Sequence, residues 1–244
     1  MPGAGSAFLR GSPTSRAGTV AAAVLVLHGG RELSTQATAP RQAAVVRMLD
    51  MYVGLRRHSR GAAVYLLRYR LRGWNADPGG ASEPAPVVDV RWALAEIAGR
   101  HGDVPVALLG HSMGGRTAFA VADDPRVVGV CALAPWLPGG EPLPAVRADQ
   151  RFVIAHGTAD RTTSAAGSLS YAQRLRDHGA SVARLELTGG RHALLESARL
   201  WHRLAVDVSL GLTGDGALPA GVARALTEPS ASSLRLPMEF AWTR

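Results

Sequence analysis

Short runs of apolar residues recur along the chain, and most are followed by a stretch with helical spacing. "VAAAVLVLH" (20–28), "AAVYLLRY" (62–69), "VPVALLG" (104–110), "VVGVCAL" (127–133), "RFVIAHG" (151–157) and "SVARLELT" (181–188) read as strands. Several are apolar throughout instead of alternating, the pattern of strands covered on both faces. Helical patterns lie near 40–57, 87–100, 113–123, 165–178 and 193–209. This alternation predicts an α/β fold: a mostly parallel central sheet with helices on both faces.

The ends break the rhythm. Residues 1–18 are rich in Gly, Ser and Pro and read as a flexible N-terminus. Residues 19–210 form the predicted domain, and 211–244 an extension with one weak helical pattern at 218–227. Gly/Pro-rich breaks at 76–86 and 137–144 read as loops. The apolar run 17–27 superficially resembles a signal-peptide core. It is too short to span a membrane and leads straight into "HGG" without a cleavage pattern, so a buried strand fits better.

Composition narrows the function classes. The hydrophobic fraction is 47% and the charged fraction 19%, values of a globular chain. The net charge is +8, yet all 27 basic residues are arginine. A nucleic-acid binder ordinarily mixes lysine and arginine, so the excess reads as coding bias and no nucleic-acid or membrane partner is expected. Cys131 is the single cysteine and sits in an apolar strand pattern. It supports no disulfide framework, and a cytoplasmic location is expected. Oligomeric state is left open.

The chemistry gathers at "LLGHSMGGRTAFAVA" (108–122), where a predicted strand hands over to a predicted helix. Gly110-His111-Ser112-Met113-Gly114 matches G-x-S-x-G, a serine on a sharp strand-to-helix turn. The chain passes so close there that side chains two positions either side would clash, which glycine avoids. A serine hydroxyl needs a base that is itself oriented by an acid, in the chain order Ser, Asp/Glu, His. Of the downstream histidines, His156 ends a strand, His178 a helix, and His202 lies within a helical pattern. His192 follows a strand and a glycine loop, at the sheet edge where α/β sites gather, and is the favoured base. Asp160 follows a strand directly and is the favoured acid over Glu141, Asp149 and Glu186. The backbone N–H of Met113 and one from the "HGGRELS" loop, Gly30 before Arg31, are the candidate oxyanion donors. Arg31, Leu33, Trp74 and Trp136, with Arg70 and Leu137, fall on loops expected near the strand ends and are candidate pocket residues. His28 reads as a brace of its loop.

Over residues 20–208 the chain resembles the α/β-hydrolase superfamily, in its small, lidless carboxylesterase and dienelactone-hydrolase-like branches. "HGG", "GHSMGG", "HGTAD" and "GGRH" occur in that family's order, with 48 residues from Ser112 to Asp160 and 32 more to His192. The resemblance implies Ser112 as nucleophile, His192 as base, Asp160 as acid, and Gly30 and Met113 as oxyanion donors. It also implies an ester or thioester hydrolase of small substrates that needs no cofactor or metal. An acyltransferase or C–C bond hydrolase would share the triad, and a non-catalytic binding protein on the same fold is the alternative class. Two departures stand out: the family's two leading strands are missing or degraded, and the tail after 210 has no counterpart. The 17 residues 134–150 between two strands, with four prolines and two glycines, are too few for a packed multi-helix cap.

Overall fold

The computed structural model describes residues 6–11, 18–77, 79 and 82–243. Eight strands form one sheet: β1 (Phe8–Gly11), β2 (Ala22–Leu27), β3 (Ala62–Arg68), β4 (Val106–His111), β5 (Val127–Leu133), β6 (Arg151–Gly157), β7 (Ser181–Leu187) and β8 (Leu236–Pro237). Their spatial order is β1-β3-β2-β4-β5-β6-β7-β8, and every pairing is parallel except β1 with β3. Among the described residues six α-helices accompany them: α1 (Ala43–His58), α2 (Ala85–His101), α3 (Met113–Ala120), α4 (Ala165–Asp177), α5 (Ala198–Thr213) and α6 (Ala220–Thr227).

The continuous apolar runs follow from two cores. On β2, Ala23, Leu25 and Leu27 face a core shared with α2, α3 and α4, while Val24 and Val26 face one shared with α1, α5 and α6. Successive side chains alternate faces, so both sets must be apolar. The long connection Ala134–Gln150 contains no helix or strand, so the domain has no large cap. No helix among the described residues is long and apolar enough to cross a membrane.

Both ends correct the sequence reading. Residues 8–11, expected to be flexible, form the antiparallel edge strand β1, whose Leu9 is buried. One short strand therefore does precede the first motif strand; four residues with one buried side chain give too little pattern to detect. Residues 1–5 and 12–17 of the expected flexible segment lie outside the described residues. The expected boundary at 210 falls inside α5, and the tail beyond it is ordered against the domain. Asp215 accepts from the N–H groups of Arg60 and Gly61 and from Ser59 Oγ, at 2.9, 2.6 and 2.8 Å. Trp242 donates to Asp207 at 2.8 Å. The fully buried Arg184 of β7 donates to the Leu234 and Ala165 carbonyls, both at 3.0 Å, and pairs with Glu186. The 193–209 helical pattern begins as a loop, with Leu194 and Ser197 at positive φ, and becomes helical only at Ala198.

Candidate active site

Ser112 sits between β4 and α3 with φ 57° and ψ −119°, a left-handed conformation that costs energy for a residue with a Cβ. The turn is over-determined. Ser112 N–H donates to Leu133 of β5 at 3.0 Å, and its carbonyl accepts from Gly115, Arg116 and Trp136 at 3.0–3.2 Å. A Cβ at Gly110 would collide with the Gly114 carbonyl, and one at Gly114 with the Leu27 carbonyl. The glycine spacing is thus a steric requirement of the elbow.

Three side chains from separate loops converge on it. His192 Nε2 lies 3.0 Å from Ser112 Oγ, and His192 Nδ1 lies 2.8 Å from Asp160 Oδ2. The Asp160 side chain is completely buried, whereas His192 keeps 18% of its side chain exposed and Ser112 is 8% exposed. Asp160 Oδ1 accepts from the Thr162 and Thr163 N–H groups at 2.7 and 2.9 Å. Its Oδ2 has Thr163 Oγ1 at 2.8 Å and His156 Nε2 at 3.3 Å besides His192. Burial alone would push this carboxyl up; the hydrogen bonds from His156, Thr163, His192 and Thr162 outweigh it and hold the group well below the usual carboxylate range. An ionised carboxylate fixes the His192 proton on Nδ1 and leaves the Nε2 lone pair toward Ser112.

Two buried histidines support this arrangement. His156, read from sequence as a strand-end residue that braces the following turn, lies wholly buried on β6 with Nε2 on Asp160 and Nδ1 without a partner. A carboxylate only accepts, so Nε2 carries the proton. His111, the variable position of the motif, has Nε2 2.9 Å from the His192 carbonyl, and its ring centroid is 4.8 Å from that of His192. The carbonyl accepts, so His111 donates. Burial first, then the nearby His192 and Arg47 charges, lower its pKa to about 3. The "HGTAD" spacing, which puts His156 four residues before Asp160, was the available signal; nothing in the sequence flagged His111.

The remaining candidates divide. Gly30 lies against Met113, where a Cβ would strike the Met113 side chain and the Arg72 carbonyl. Met113 opens α3, where its N–H has no intrahelical acceptor. The Arg31 N–H is bonded to Arg72 O at 2.8 Å, whereas the Gly30 N–H has no acceptor among the described residues. His28 does brace the loop: Nδ1 is 2.6 Å from Gly29 O, Nε2 accepts from Tyr69 N–H at 3.2 Å, and burial lowers its pKa to about 4. Arg31 and Leu33 stand exposed, Leu33 at 73%. Trp74 and Trp136 meet edge to face with centroids 6.3 Å apart, and the Arg116 guanidinium packs against both rings at 4.0 and 4.5 Å. Trp74 and Arg116 line a cleft of about 510 Å³ beside α3. Arg70 pairs with Asp89, and Leu137 is buried in the core. Of the competing acids, Glu141 pairs with Arg116 at 2.7 Å, Asp149 with Arg147 at 3.4 Å, and Glu186 with Arg184. Among the described residues no group of three or more His, Cys, Asp or Glu is placed to hold a metal ion.

The fold recurs in solved structures. A lidless a/b serine hydrolase from Xanthomonas campestris has 16% identity and a TM-score of 0.55, covering 92% of this chain and 90% of its own. A putative alpha/beta hydrolase from Agrobacterium tumefaciens has 16% identity and a TM-score of 0.62 (84% and 91%). A truncated carbohydrate esterase from gut microbiota has 14% identity and a TM-score of 0.60 (80% and 87%). No curated protein matches the chain by sequence. The model of the alpha/beta hydrolase family matches residues 24–239, from β2 through the ordered tail, and the chain belongs to that family.

Proposed function

We propose that the protein is a serine hydrolase that cleaves carboxylic ester or thioester bonds of small substrates through an acyl-serine intermediate. The observation that carries this reading is the continuous contact from Ser112 Oγ through His192 to Asp160, at 3.0 and 2.8 Å, on a strained elbow. Ser112 Oγ attacks the carbonyl carbon while His192 Nε2 takes its proton. The Gly30 and Met113 N–H groups hold the oxygen that becomes negative. Collapse expels the alcohol or thiol, which takes the proton back from His192. Water, deprotonated by His192, then attacks the acyl carbon, releases the acid and returns the proton to Ser112.

The fold shared with a carbohydrate esterase supports ester cleavage as a class and brings no substrate with it. Small substrates are favoured by the connection Ala134–Gln150. It contains no helix or strand and is tied down by Arg116–Glu141, Arg174 to Glu141 O and Tyr171 to Pro142 O. A long acyl chain would forgo about 0.8 kcal/mol for each CH₂ left in water. The test is labelling with a fluorophosphonate, followed by peptide mapping and by kinetics of Ser112→Ala on p-nitrophenyl acetate. Label on Ser112 is expected, together with loss of nearly all turnover, leaving about 10³-fold over water. An unlabelled Ser112, or full turnover in the variant, overturns the reading.

A further inference from the structure

Two clefts carry charge differently. The cleft beside α3 is lined by Asp77, Glu83, Asp123 and Glu141. Of these carboxylates, Glu83 and Asp123 pair with Arg91 and Glu141 with Arg116. A second cleft, of about 450 Å³, is lined by Ala159, Arg161, Thr162, Arg191, His192 and Ala193. It has two arginines and no carboxylate in its walls. Asp160 stands behind it, completely buried, with its oxygens turned to five donors and not to the cleft.

Neither arginine is committed to the protein. Arg161 is exposed and, among the described residues, makes no hydrogen bond, ion pair or ring contact. The Arg191 side chain is 74% exposed; its guanidinium makes one ion pair, at 3.7 Å, to Glu196, whose other oxygen accepts from the Arg191 N–H at 3.3 Å. A third arginine stands close by. Arg47 of α1 lines the adjoining cleft of about 320 Å³, which shares Ala193. Its Nε is sealed from solvent with no acceptor, a state that buried donors rarely keep unless a partner is missing.

The position of the cleft says which part of a substrate it meets. His192 must hand its proton to the leaving oxygen, so that oxygen lies within hydrogen-bond reach of Nε2. A cleft that begins at His192 therefore receives the alcohol, not the acyl group. We infer that Arg161 and Arg191 seat an anionic group, a carboxylate or phosphate, carried on the alcohol portion of the ester. This inference rests on the ester-hydrolase reading above and names its substrate class: acyl esters of small hydroxy acids or phosphorylated alcohols. The guanidinium fork suits either anion.

The test uses matched esters. 4-Acetoxybenzoate and its methyl ester differ in charge at one end, and 4-acetoxyphenyl phosphate supplies the other anion. The quantity read is the kcat/KM ratio of each charged ester to the methyl ester, in the wild type and in the Arg161→Gln/Arg191→Gln double variant. Exposed charge pairs contribute roughly two- to fivefold each. The ratio is therefore expected to fall about tenfold, through KM, and to fall likewise in the wild type as salt is raised. A larger fall for the benzoate assigns the seat to carboxylate, and a larger fall for the phosphate assigns it to phosphate. Ratios that do not change, or equal losses on all three esters, overturn the inference while labelled Ser112 leaves the hydrolase reading standing. No hydrolysis of any ester, with Ser112 unlabelled, overturns both.

Discussion

Asp160 and Glu141 are two buried carboxylates in loops after adjacent strands, β6 and β5, and their surroundings divide them. Asp160 is met by neutral donors: two backbone N–H groups, a threonine hydroxyl and two imidazoles. Glu141 is met by a permanent cation, Arg116, packed against two indoles. A carboxylate held by neutral donors keeps its full charge available to a proton that arrives on His192 during reaction. One already neutralised by guanidinium has little left to offer and serves to fix a loop. The difference is not burial, since Glu141 is itself only 6% exposed. It is whether the partner's charge can change.

The widest separation between the two comes from paired amides. Asp160→Asn keeps the shape but presents an amide to His192 Nδ1. Its NH₂ would favour the tautomer with the proton on Nε2, where it faces Ser112 and cannot accept. Turnover is expected to fall by up to about 10⁴-fold, measured as kcat on p-nitrophenyl acetate. A fall under tenfold would remove Asp160 from the machinery.

Part of this comparison could be read from sequence, and part could not. The six inner strands were legible because both faces of each are covered, which leaves continuous apolar runs. β1 and β8 were not, with four and two residues and little burial. The elbow was legible because a strained turn dictates glycine at fixed spacing. Asp160 was favoured over Glu141 only because it follows its strand directly; what divides their surroundings was not legible. Both follow strands, and the Arg116 that neutralises Glu141 reaches it across 25 positions. His111 escaped notice because its partner is a backbone carbonyl 81 positions away. Arg31 and Leu33 were expected in a pocket, but their side chains face water.

The pH profile sharpens the same contrast. Between pH 5 and 9, Asp160 stays ionised because its folded pKa is depressed, and His111 and His28, lowered to about 3 and about 4, stay neutral. His192 must be neutral to accept the serine proton. So kcat/KM should rise with pH through a single ionisation, about tenfold per unit below its midpoint, then level off. Two ionisations within the window, or a flat acylation rate, would contradict the roles assigned to these histidines.

A smaller effect follows from His156. It removes nothing from the reacting atoms when replaced, but takes one donor from Asp160. His156→Met should lower kcat about tenfold, the order of one hydrogen bond to a charged group. It should also raise the midpoint of the pH profile, because a less satisfied carboxylate attracts the protonated His192 more strongly. His156→Gln, which can still donate, should recover most of both. An unmoved midpoint in the Met variant would make His156 a packing residue only.

The smallest catalytic effect is expected at Glu141. Glu141→Gln leaves Ser112, His192 and Asp160 as they are, so kcat should stay within about threefold of wild type. The consequence is structural. Arg116 loses the charge opposite it while still packed against Trp74 and Trp136, with its side chain 13% exposed and that of Glu141 7%. Gln can accept one of the two guanidinium bonds, so the cost is below that of deleting the partner, about 1–3 kcal/mol. For a chain of this length each kcal/mol moves the midpoint by roughly 2–4 °C, so calorimetry should show a loss of several degrees. The Asp160→Asn variant should show the reverse balance, a large loss of turnover with the smaller change in Tm. If Glu141→Gln instead cost a hundredfold or more in kcat at unchanged Tm, the carboxylate after β5 would be the catalytic one and the division drawn here would be inverted.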